Sequence, residues 1–174
     1  IGRLIHRKSP LVLVEALLLL PDHVQRRIRV TFAGDGPLAS ELRDRLELSG
    51  VASFSIGPVN SVSGLLSEAG VLVSCSVAEG LPMAVLEGAA SGLRLILSDI
   101  EPHRLVLGAL DAEGHRLVPP MDSVQLAATL SEVLGEDFDG RESANSALRE
   151  YAATSVAARY DAEFDQLRLA RFCG

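Results

Sequence analysis

Short apolar runs alternate along the chain with segments in which apolar residues recur every three to four positions. The first pattern predicts buried strands and the second predicts amphipathic helices. The predicted strands cover residues 2–5, 28–33, 52–56, 71–74, 93–97 and 116–118. The predicted helices cover residues 10–20, with Ser9 as the cap, and 38–48, 62–69, 82–91, 123–134, 141–152 and 155–172.

Strands and helices that alternate at this spacing indicate βαβ units. Their right-handed crossovers predict an α/β fold, a doubly wound (Rossmann-like) parallel sheet of about six strands with helices on both faces. Such sheets bind ligands at the carboxyl ends of their strands. The 174 residues contain no internal repeat or low-complexity linker, so we expect a single domain over residues 1–174.

Composition indicates which partners and which cellular setting are compatible with the chain. The net charge of −7 argues against a nucleic-acid partner. Cys75 and Cys173 lie far apart and suggest no disulfide framework, so a reduced, cytoplasmic setting is expected. The longest apolar stretch, residues 11–20, is too short to span a bilayer. The first residue is Ile1 and already lies at a predicted strand end, which suggests a fragment of a larger protein.

The most informative segment is residues 79–87, in which Glu79 and Glu87 flank a glycine and a proline. Pro82 suits the first position of a helix, where its missing N–H costs nothing. The free N–H groups and partial positive charge of a helix start can hold a phosphate. Carboxylates accept hydrogen bonds from hydroxyls. The segment therefore predicts a site for a sugar nucleotide, and the apolar neighbours of Glu87 suggest that its helix is well buried.

Other candidate residues have ordinary structural explanations. Asp35 lies in a Gly-Asp-Gly-Pro turn and is expected to serve turn chemistry. Cys75 is expected to be a small core residue rather than a nucleophile. His103 and Arg104 lie in a predicted loop after a strand, where a role in the cleft and a structural role are equally compatible. The two aspartates at 137–139 predict a helix-linking loop, and no histidine has metal-ligand spacing, so no metal is expected.

Seven segments in fixed order resemble the donor-binding, C-terminal domain of family-4 (GT4) glycosyltransferases, which have the two-domain GT-B fold. The resemblance covers nearly the whole chain, and its signature is the pair of glutamates separated by seven residues (E-x7-E). The segments are Gly-Arg-Leu at 2–4, Gly-Asp-Gly-Pro at 34–37, Ile-Gly-Pro-Val at 56–59, Ser-Val-Ala-Glu-Gly at 76–80, Glu-Gly-Ala-Ala-Ser-Gly at 87–92, Ser-Asp-Ile-Glu-Pro-His-Arg at 98–104 and Leu-Val-Pro-Pro at 117–120.

The resemblance implies a role for each matching residue. Arg3 and Lys8, the only lysine of the chain, match the two cations that hold the diphosphate. Glu79 matches the catalytic carboxylate beside the donor sugar, and Glu87 matches the one that binds the ribose. Val59 lies near the expected base pocket. The backbone around the sugar and the distal phosphate matches Gly80, Leu81, Pro82, Met83 and Ala84.

The family also implies transfer with retention of configuration, from a nucleotide diphosphate sugar to a glycan or glycolipid, without a metal or other cofactor. The family's acceptor domain has no counterpart in these residues, so we expect the chain alone to be inactive. The terminal helix at 155–172 is expected to reach towards that domain. The full-length protein is expected in the cytoplasm, with peripheral association at the inner face of the membrane.

Departures from the family pattern leave the contact side chains in place. Cys75 and Arg94 stand where proline is usual, Gly88 replaces a common alanine, and Ser9 and Pro10 follow the motif lysine where glycine is frequent.

Two alternatives stay open: a non-catalytic module that binds a sugar nucleotide, and another GT-B enzyme such as a sugar-nucleotide epimerase. The base, the sugar, the acceptor and the oligomeric state are not determined by the sequence.

Overall fold

The computed structural model describes residues 1–51, 53–59, 61–110 and 114–136. Strands and helices alternate in the α/β order that the apolar pattern predicts. The strands are β1 (Arg29–Ala33), β2 (Ser53–Gly57), β3 (Val71–Ser74), β4 (Arg94–Ser98) and β5 (Arg116–Val118). The helices are α1 (Pro10–Leu19), α2 (Asp22–Gln25), α3 (Ala39–Glu47), α4 (Val62–Glu68), α5 (Met83–Ala90), α6 (Glu101–Gly108) and α7 (Ser123–Val133), and a 3-10 turn precedes them (His6–Lys8).

The strands are parallel but form two sheets. β1 pairs with β2, and β4 lies between β3 and β5. The largest sheet in the described part of the chain therefore has three strands, and the prediction of one sheet of about six strands is wrong. Residues 2–5 are not a strand either, although Gly2 and Leu4 donate backbone hydrogen bonds to the carbonyls of Ala33 and Asp35.

Helices cover both faces of the strands, as predicted. All residues of β4 are buried, and their side chains alternate between two apolar clusters. Ile96 packs with residues of α1, α3 and α7. Leu95 and Leu97 pack with residues of α4, α5 and α6. Because side chains alternate along a strand, this arrangement requires a continuous apolar run rather than an apolar–polar alternation.

Proline and cap residues set several helix boundaries. Pro10 is the first residue of α1, where a proline loses no hydrogen bond. The side chain of Asp122 accepts a hydrogen bond from the Gln125 N–H at the start of α7, with an N···O distance of 2.8 Å. Ser9 was expected to cap α1 but has a left-handed backbone (φ 44°), and its hydroxyl donates instead to the His6 carbonyl.

Two helices are absent from the predictions, and both lie next to a proline. Pro102 is the second residue of α6, a first-turn position that tolerates proline, so His103 and Arg104 lie on a helix and not in a loop. The four-residue helix α2 follows Pro21. The predictions for residues 137–139, 141–152 and 155–172 concern positions outside the described residues.

Arg94 has a structural role that the sequence did not indicate. Its side chain is 5% exposed at the start of β4. It donates to the carbonyls of Gly114 and Val133, at 2.8 and 3.0 Å, and forms a 2.5 Å ion pair with Glu136. These bonds join the start of β4 to the end of α7. The buried guanidinium of Arg94, at a position where proline is usual, therefore has partners for its N–H groups and for its charge.

Candidate functional site

The turn after β1 brings the beginning of the chain to the carboxyl ends of the strands. A Cβ atom on Gly36 would collide with the backbone of Leu4, and one on Gly34 would collide with that of Gly2. The two glycines therefore allow the backbone at the beginning of the chain to pack directly on this turn. Asp35 accepts the Gly36 N–H at 2.7 Å, which confirms its role in the turn.

Lys8 and Glu79 meet at this edge although they lie 71 positions apart in sequence. The distance from Lys8 Nζ to Glu79 Oε1 is 2.5 Å. The Glu79 side chain is only 7% exposed, and that of Lys8 is 27% exposed. The hydroxyl of Ser76 donates to the same Oε1 atom at 2.7 Å. Glu79 Oε2 accepts no hydrogen bond from any described residue, so it stays available to a ligand hydroxyl.

The environment keeps Glu79 ionised. Burial alone would raise the pKa of this carboxyl, because it removes water from the charged form. The hydrogen bonds from Lys8 and Ser76, together with the positive charge of Lys8, outweigh burial and lower the pKa below its ordinary value. An ionised carboxylate accepts hydrogen bonds and cannot donate them, so Glu79 can orient a hydroxyl but is not an acid at neutral pH.

Ser98 and His103 form a buried hydrogen-bonded group next to Ser76. The Ser98 hydroxyl donates to the Ser76 carbonyl, and Nδ1 of His103 lies 2.8 Å from the Ser98 carbonyl. Nε2 of His103 lies 3.4 Å from the Ser74 hydroxyl. Burial lowers the pKa of His103, against the Ser98 carbonyl and the charge of Glu79, which both favour the imidazolium. His103 lies on α6 and is fully buried. Of the cleft role and the structural role that the sequence leaves open for it, the structure shows the structural one.

The start of α5 presents unpaired donors beside this carboxylate. Pro82 precedes the helix, which begins at Met83, so the prediction that Pro82 is its first residue is off by one position. The backbone N–H groups of Gly80, Leu81 and Ala84 donate to no acceptor among the described residues. Free N–H groups and the positive end of the helix dipole favour an anion at this position.

One cavity of about 570 Å³ runs between β1 and β3. Five of the predicted site residues line it, namely Arg3, Lys8, Glu79, Pro82 and Ala84. The Arg3 side chain is exposed, and it forms no ion pair with a carboxylate in the part of the chain that the structure describes. All five residues thus line the same cavity, and of the three charged residues among them Lys8 and Glu79 are the two in contact.

The other predicted site residues lie outside this cavity. The helix that carries Glu87 is buried at Val85, Leu86 and Ala89, as predicted, but the side chain of Glu87 itself is exposed. Val59 is exposed beyond the end of β2. Gly80, Leu81 and Met83 are exposed around the start of α5. The roles of these residues towards a ligand stay predictions.

Three further observations concern a reactive thiol, a metal site and a membrane-spanning helix. Burial raises the pKa of the Cys75 thiol to about 12, and its side chain packs in the apolar core, which confirms the interpretation as a core residue. Within residues 1–51, 53–59, 61–110 and 114–136, no three His, Cys, Asp or Glu side chains cluster in a way that could hold a metal ion. No helix in these ranges has the length and apolar character that crossing a membrane requires.

Curated relatives of the chain are glycosyltransferases. An α-1,4-N-acetyl-D-galactosaminyltransferase of Campylobacter jejuni, named for a PP-undecaprenol-linked glycan, is 32% identical over 147 residues, which are 84% of this chain and 41% of that protein. A UDP-Gal:α-D-GlcNAc-diphosphoundecaprenol α-1,3-galactosyltransferase of Escherichia coli is 31% identical over 109 residues, which are 58% of this chain and 27% of that protein. The chain thus spans less than half the length of these relatives.

Solved structures share the fold. The C-terminal domain of a glycosyl transferase group 1 family protein from Francisella tularensis superimposes with a TM-score of 0.71 at 19% identity, over 88% of this chain and 84% of that one. The catalytic domain of a cholesterol-α-glucosyltransferase from Helicobacter pylori gives 0.69 at 22% identity, over 85% and 95%. The family model "Glycosyl transferases group 1" matches residues 1–136. The chain therefore belongs to the group 1 glycosyltransferases.

Proposed function

We propose that the chain is the donor-binding, C-terminal domain of a retaining GT4 glycosyltransferase of GT-B fold. The full protein would transfer a sugar from a nucleotide diphosphate sugar to a glycan or glycolipid. Support comes from membership of the group 1 family and from relatives named as glycosyltransferases. The observation that carries the proposal is the Lys8–Glu79 pair beside the start of α5.

The cations and amides suit a diphosphate. The Lys8 ammonium has three N–H donors and uses one of them for Glu79, so two can bind phosphate oxygens. Arg3 lies at the same cavity and can bind phosphate in a bidentate manner. The N–H groups around the start of α5 add fixed donors. Together these groups would stabilise the negative charge that develops on the leaving diphosphate.

The carboxylate suits a sugar. Glu79 is ionised and its Oε2 atom is not engaged, so it can accept hydrogen bonds from the hydroxyls of the donor sugar. Ser76 and Lys8 hold Oε1 from two sides, and this fixes the direction of Oε2. Within the proposal Glu79 orients the sugar, while Glu87 and Val59 bind the ribose and the base.

Within the proposal the acceptor binds to a second domain that closes over the donor. Such closure would exclude water and suppress hydrolysis of the sugar nucleotide. Within the proposal no metal is needed, because Arg3 and Lys8 supply positive charge to the diphosphate and the amides supply hydrogen-bond donors. The proposed setting is the cytoplasm, with the full protein at the inner face of the membrane where a lipid-linked acceptor would be reached.

Isothermal titration calorimetry tests the proposal. Uridine, guanosine and adenosine diphosphates and their sugar conjugates are titrated into the wild type and into Glu79→Gln, which keeps an oxygen to accept bonds from Lys8 and Ser76. We expect one base to be preferred, and the variant to bind the sugar conjugate about tenfold more weakly, a loss of about 1.4 kcal/mol. Its affinity for the free diphosphate should change by less than about twofold.

Two results would count against the proposal. The first is a wild type that binds none of these nucleotides at about 1 mM, the weak end of specific affinities. The second is a Glu79→Gln variant that weakens the diphosphate as much as the sugar conjugate, because Glu79 would then not contact the sugar. Formation of an epimeric sugar nucleotide without any acceptor would indicate the epimerase instead.

A further inference from the structure

A path of hydrogen bonds connects His103 on α6 to Glu79 across the ends of β4 and β3. Nδ1 of His103 lies 2.8 Å from the Ser98 carbonyl, and the Ser98 hydroxyl donates to the Ser76 carbonyl. The Ser76 hydroxyl donates to Glu79 Oε1 at 2.7 Å. The path therefore joins a helix residue that is remote in sequence to the carboxylate proposed to orient the donor sugar.

The three polar residues of this path that precede Glu79 are buried. Ser76 and Ser98 are each 1% exposed, and His103 is 0% exposed. A buried polar side chain costs free energy unless its hydrogen bonds are made, and an apolar residue at the same position avoids that cost. Burial alone therefore does not explain these residue types. A buried polar network with its bonds made does, however, fix one arrangement of its members.

The geometry determines which ring nitrogen of His103 carries the proton. A carbonyl oxygen only accepts, so Nδ1 is the N–H that donates to the Ser98 carbonyl. The Ser98 hydroxyl lies 3.2 Å from the same nitrogen, but its proton is committed to the Ser76 carbonyl. Burial lowers the pKa of His103, which favours the neutral ring at pH 7. Nε2 is then an acceptor.

The path holds the loop that carries Glu79 at a point where strand pairing has ended. The pairing of β3 with β4 extends to Ser74 and Leu97. Ser76 and Glu79 lie beyond this pair, in the loop that leads to α5. The bond from the Ser98 hydroxyl to the Ser76 carbonyl therefore ties the loop to the end of β4, and His103 in turn holds the backbone of Ser98.

A second route from His103 to Ser76 is weaker. The Ser74 hydroxyl lies 3.4 Å from Nε2 of His103 and 3.4 Å from the Ser76 hydroxyl. Both distances exceed the usual range for hydrogen bonds of hydroxyl groups, whereas the bonds through Ser98 lie within it or are shorter. The route through Nδ1 and Ser98 is therefore the one that can hold Ser76 in place.

We propose that His103 is a positioning residue for Glu79 and acts through Nδ1, Ser98 and Ser76. It fixes the backbone of Ser76, and the Ser76 hydroxyl then holds Glu79 Oε1 so that Oε2 faces the donor sugar. This role rests on the proposed function, in which Glu79 orients the sugar. His103 itself touches no ligand.

Four variants separate positioning from packing. His103→Leu removes both ring nitrogens, whereas His103→Asn keeps an N–H donor near the position of Nδ1. Ser98→Ala interrupts the path and leaves His103 in place. Val106→Ala removes buried apolar volume from the same helix without removing a hydrogen bond of the path, so it is the control for lost packing.

The first measurement is made without nucleotide and is therefore independent of donor binding. NMR at pH 7 records the carbon chemical shift of the Glu79 carboxyl, with Ser76→Ala as the reference for a lost hydroxyl donor. We expect His103→Leu and Ser98→Ala to move this signal towards the position in Ser76→Ala. The signal should keep its wild-type position in His103→Asn and Val106→Ala. The nitrogen chemical shifts of the wild-type ring should show an Nδ1–H tautomer.

The second measurement is calorimetry with a free nucleoside diphosphate and with the sugar conjugate that the wild type binds most tightly. The ratio of the two affinities should fall about fivefold in His103→Leu and in Ser98→Ala, the effect of one hydrogen bond. It should be unchanged in His103→Asn and Val106→Ala. A wild type that binds no nucleotide would refute the proposed function, and the carboxyl signal would still decide whether His103 holds Glu79.

Three results would overturn the inference. The first is a carboxyl signal or an affinity ratio that stays at the wild-type value in His103→Leu. The second is an equal effect of His103→Asn and His103→Leu, because Nδ1 would then not be the group that acts. The third is an Nε2–H tautomer in the wild type. If His103→Leu does not fold, Ser98→Ala is judged by the first criterion.

Discussion

Lys8 and Glu79 form an ion pair with an Nζ–Oε1 distance of 2.5 Å, in which the carboxylate is nearly buried. The pair connects the 3-10 turn at the start of the chain to the loop between β3 and α5. Ser76 donates to the same carboxylate oxygen, so both donors hold Glu79 in place and lower its pKa.

Replacement of Lys8 by methionine should raise the pKa of Glu79, because burial would be opposed only by Ser76 and His103. We expect the free energy of unfolding at pH 7 to fall by about 1–3 kcal/mol. The folded pKa of Glu79 is lowered, so the lost stability is present above its unfolded pKa and disappears as pH falls through the folded pKa. Urea unfolding of both proteins between pH 3 and pH 7 measures it.

The matched control is Arg45→Met, which breaks exposed pairs with Glu41 on α3 and with Glu15 on α1. Its effect should stay below about 0.5 kcal/mol. A Lys8→Met variant that is as stable as this control at pH 7 would show that the Lys8–Glu79 pair does not hold the carboxylate in place.

Replacement of Arg94 by leucine should destabilise the fold. The change leaves the carbonyls of Gly114 and Val133 without their buried donor and removes the pair with Glu136. We expect a loss of about 2–3 kcal/mol in the free energy of unfolding, measured by urea titration. Arg104→Leu on the exposed face of α6 is the control, and an equal effect of both changes would contradict the structural role of Arg94.

Replacement of Gly36 by alanine should displace the beginning of the chain. The new Cβ would collide with the Leu4 backbone, which cannot move away as a flexible side chain can. We expect a loss of about 2 kcal/mol or more in thermal or urea unfolding. Gly108→Ala at the end of α6 meets no atom within 4 Å and should change stability by less than about 1 kcal/mol. Equal stability of the two variants would be incompatible with the observed packing.

Protonation of His115 should weaken the fold at acid pH. Burial, followed by the charges of Arg94 and Arg116, lowers its pKa to about 4, and its Nδ1 accepts the Leu95 N–H. Between the ordinary pKa of about 6.5 and the folded value, the unfolded chain binds more protons. Stability therefore falls as pH decreases through this window, by roughly 2 kcal/mol from His115.

The variant His115→Asn isolates this contribution, because its amide oxygen can still accept the Leu95 N–H but does not titrate. The difference in unfolding free energy between wild type and variant should change steadily from pH 7 to pH 4. A difference that is constant over this range would show that His115 is not the titrating group.

Local signals in the sequence were sufficient for much of the fold. The strand at Val71–Ser74 and the strand at Arg116–Val118 lie where the apolar pattern predicted them. Helix α6 was missed, because Pro102 was interpreted as a loop residue although first-turn prolines are compatible with helices. The prediction of a single sheet was wrong for a non-local reason, since the pairing of strands distant in sequence is not encoded in their local apolar patterns.

The site was predictable in its residue types and less so in its geometry. The family motifs brought attention to Lys8 and Glu79, and the structure places them in contact. The hydrogen bond from Ser76 to Glu79 was not predicted, and the role of His103 was left open, because no periodicity or spacing links Ser76, Ser98 and His103. The exposure of Glu87 also escaped prediction, since buried neighbours on a helix do not bury every position.

The central claim is that Lys8 and the start of α5 bind the distal phosphate of a nucleotide. The most direct measurement compares a nucleoside diphosphate with its monophosphate, by calorimetry on the wild type, Lys8→Met and the control Arg45→Ala on α3. We expect the wild type and the control to prefer the diphosphate by about tenfold or more, and Lys8→Met to lose most of that preference. An unchanged preference in Lys8→Met would contradict the account.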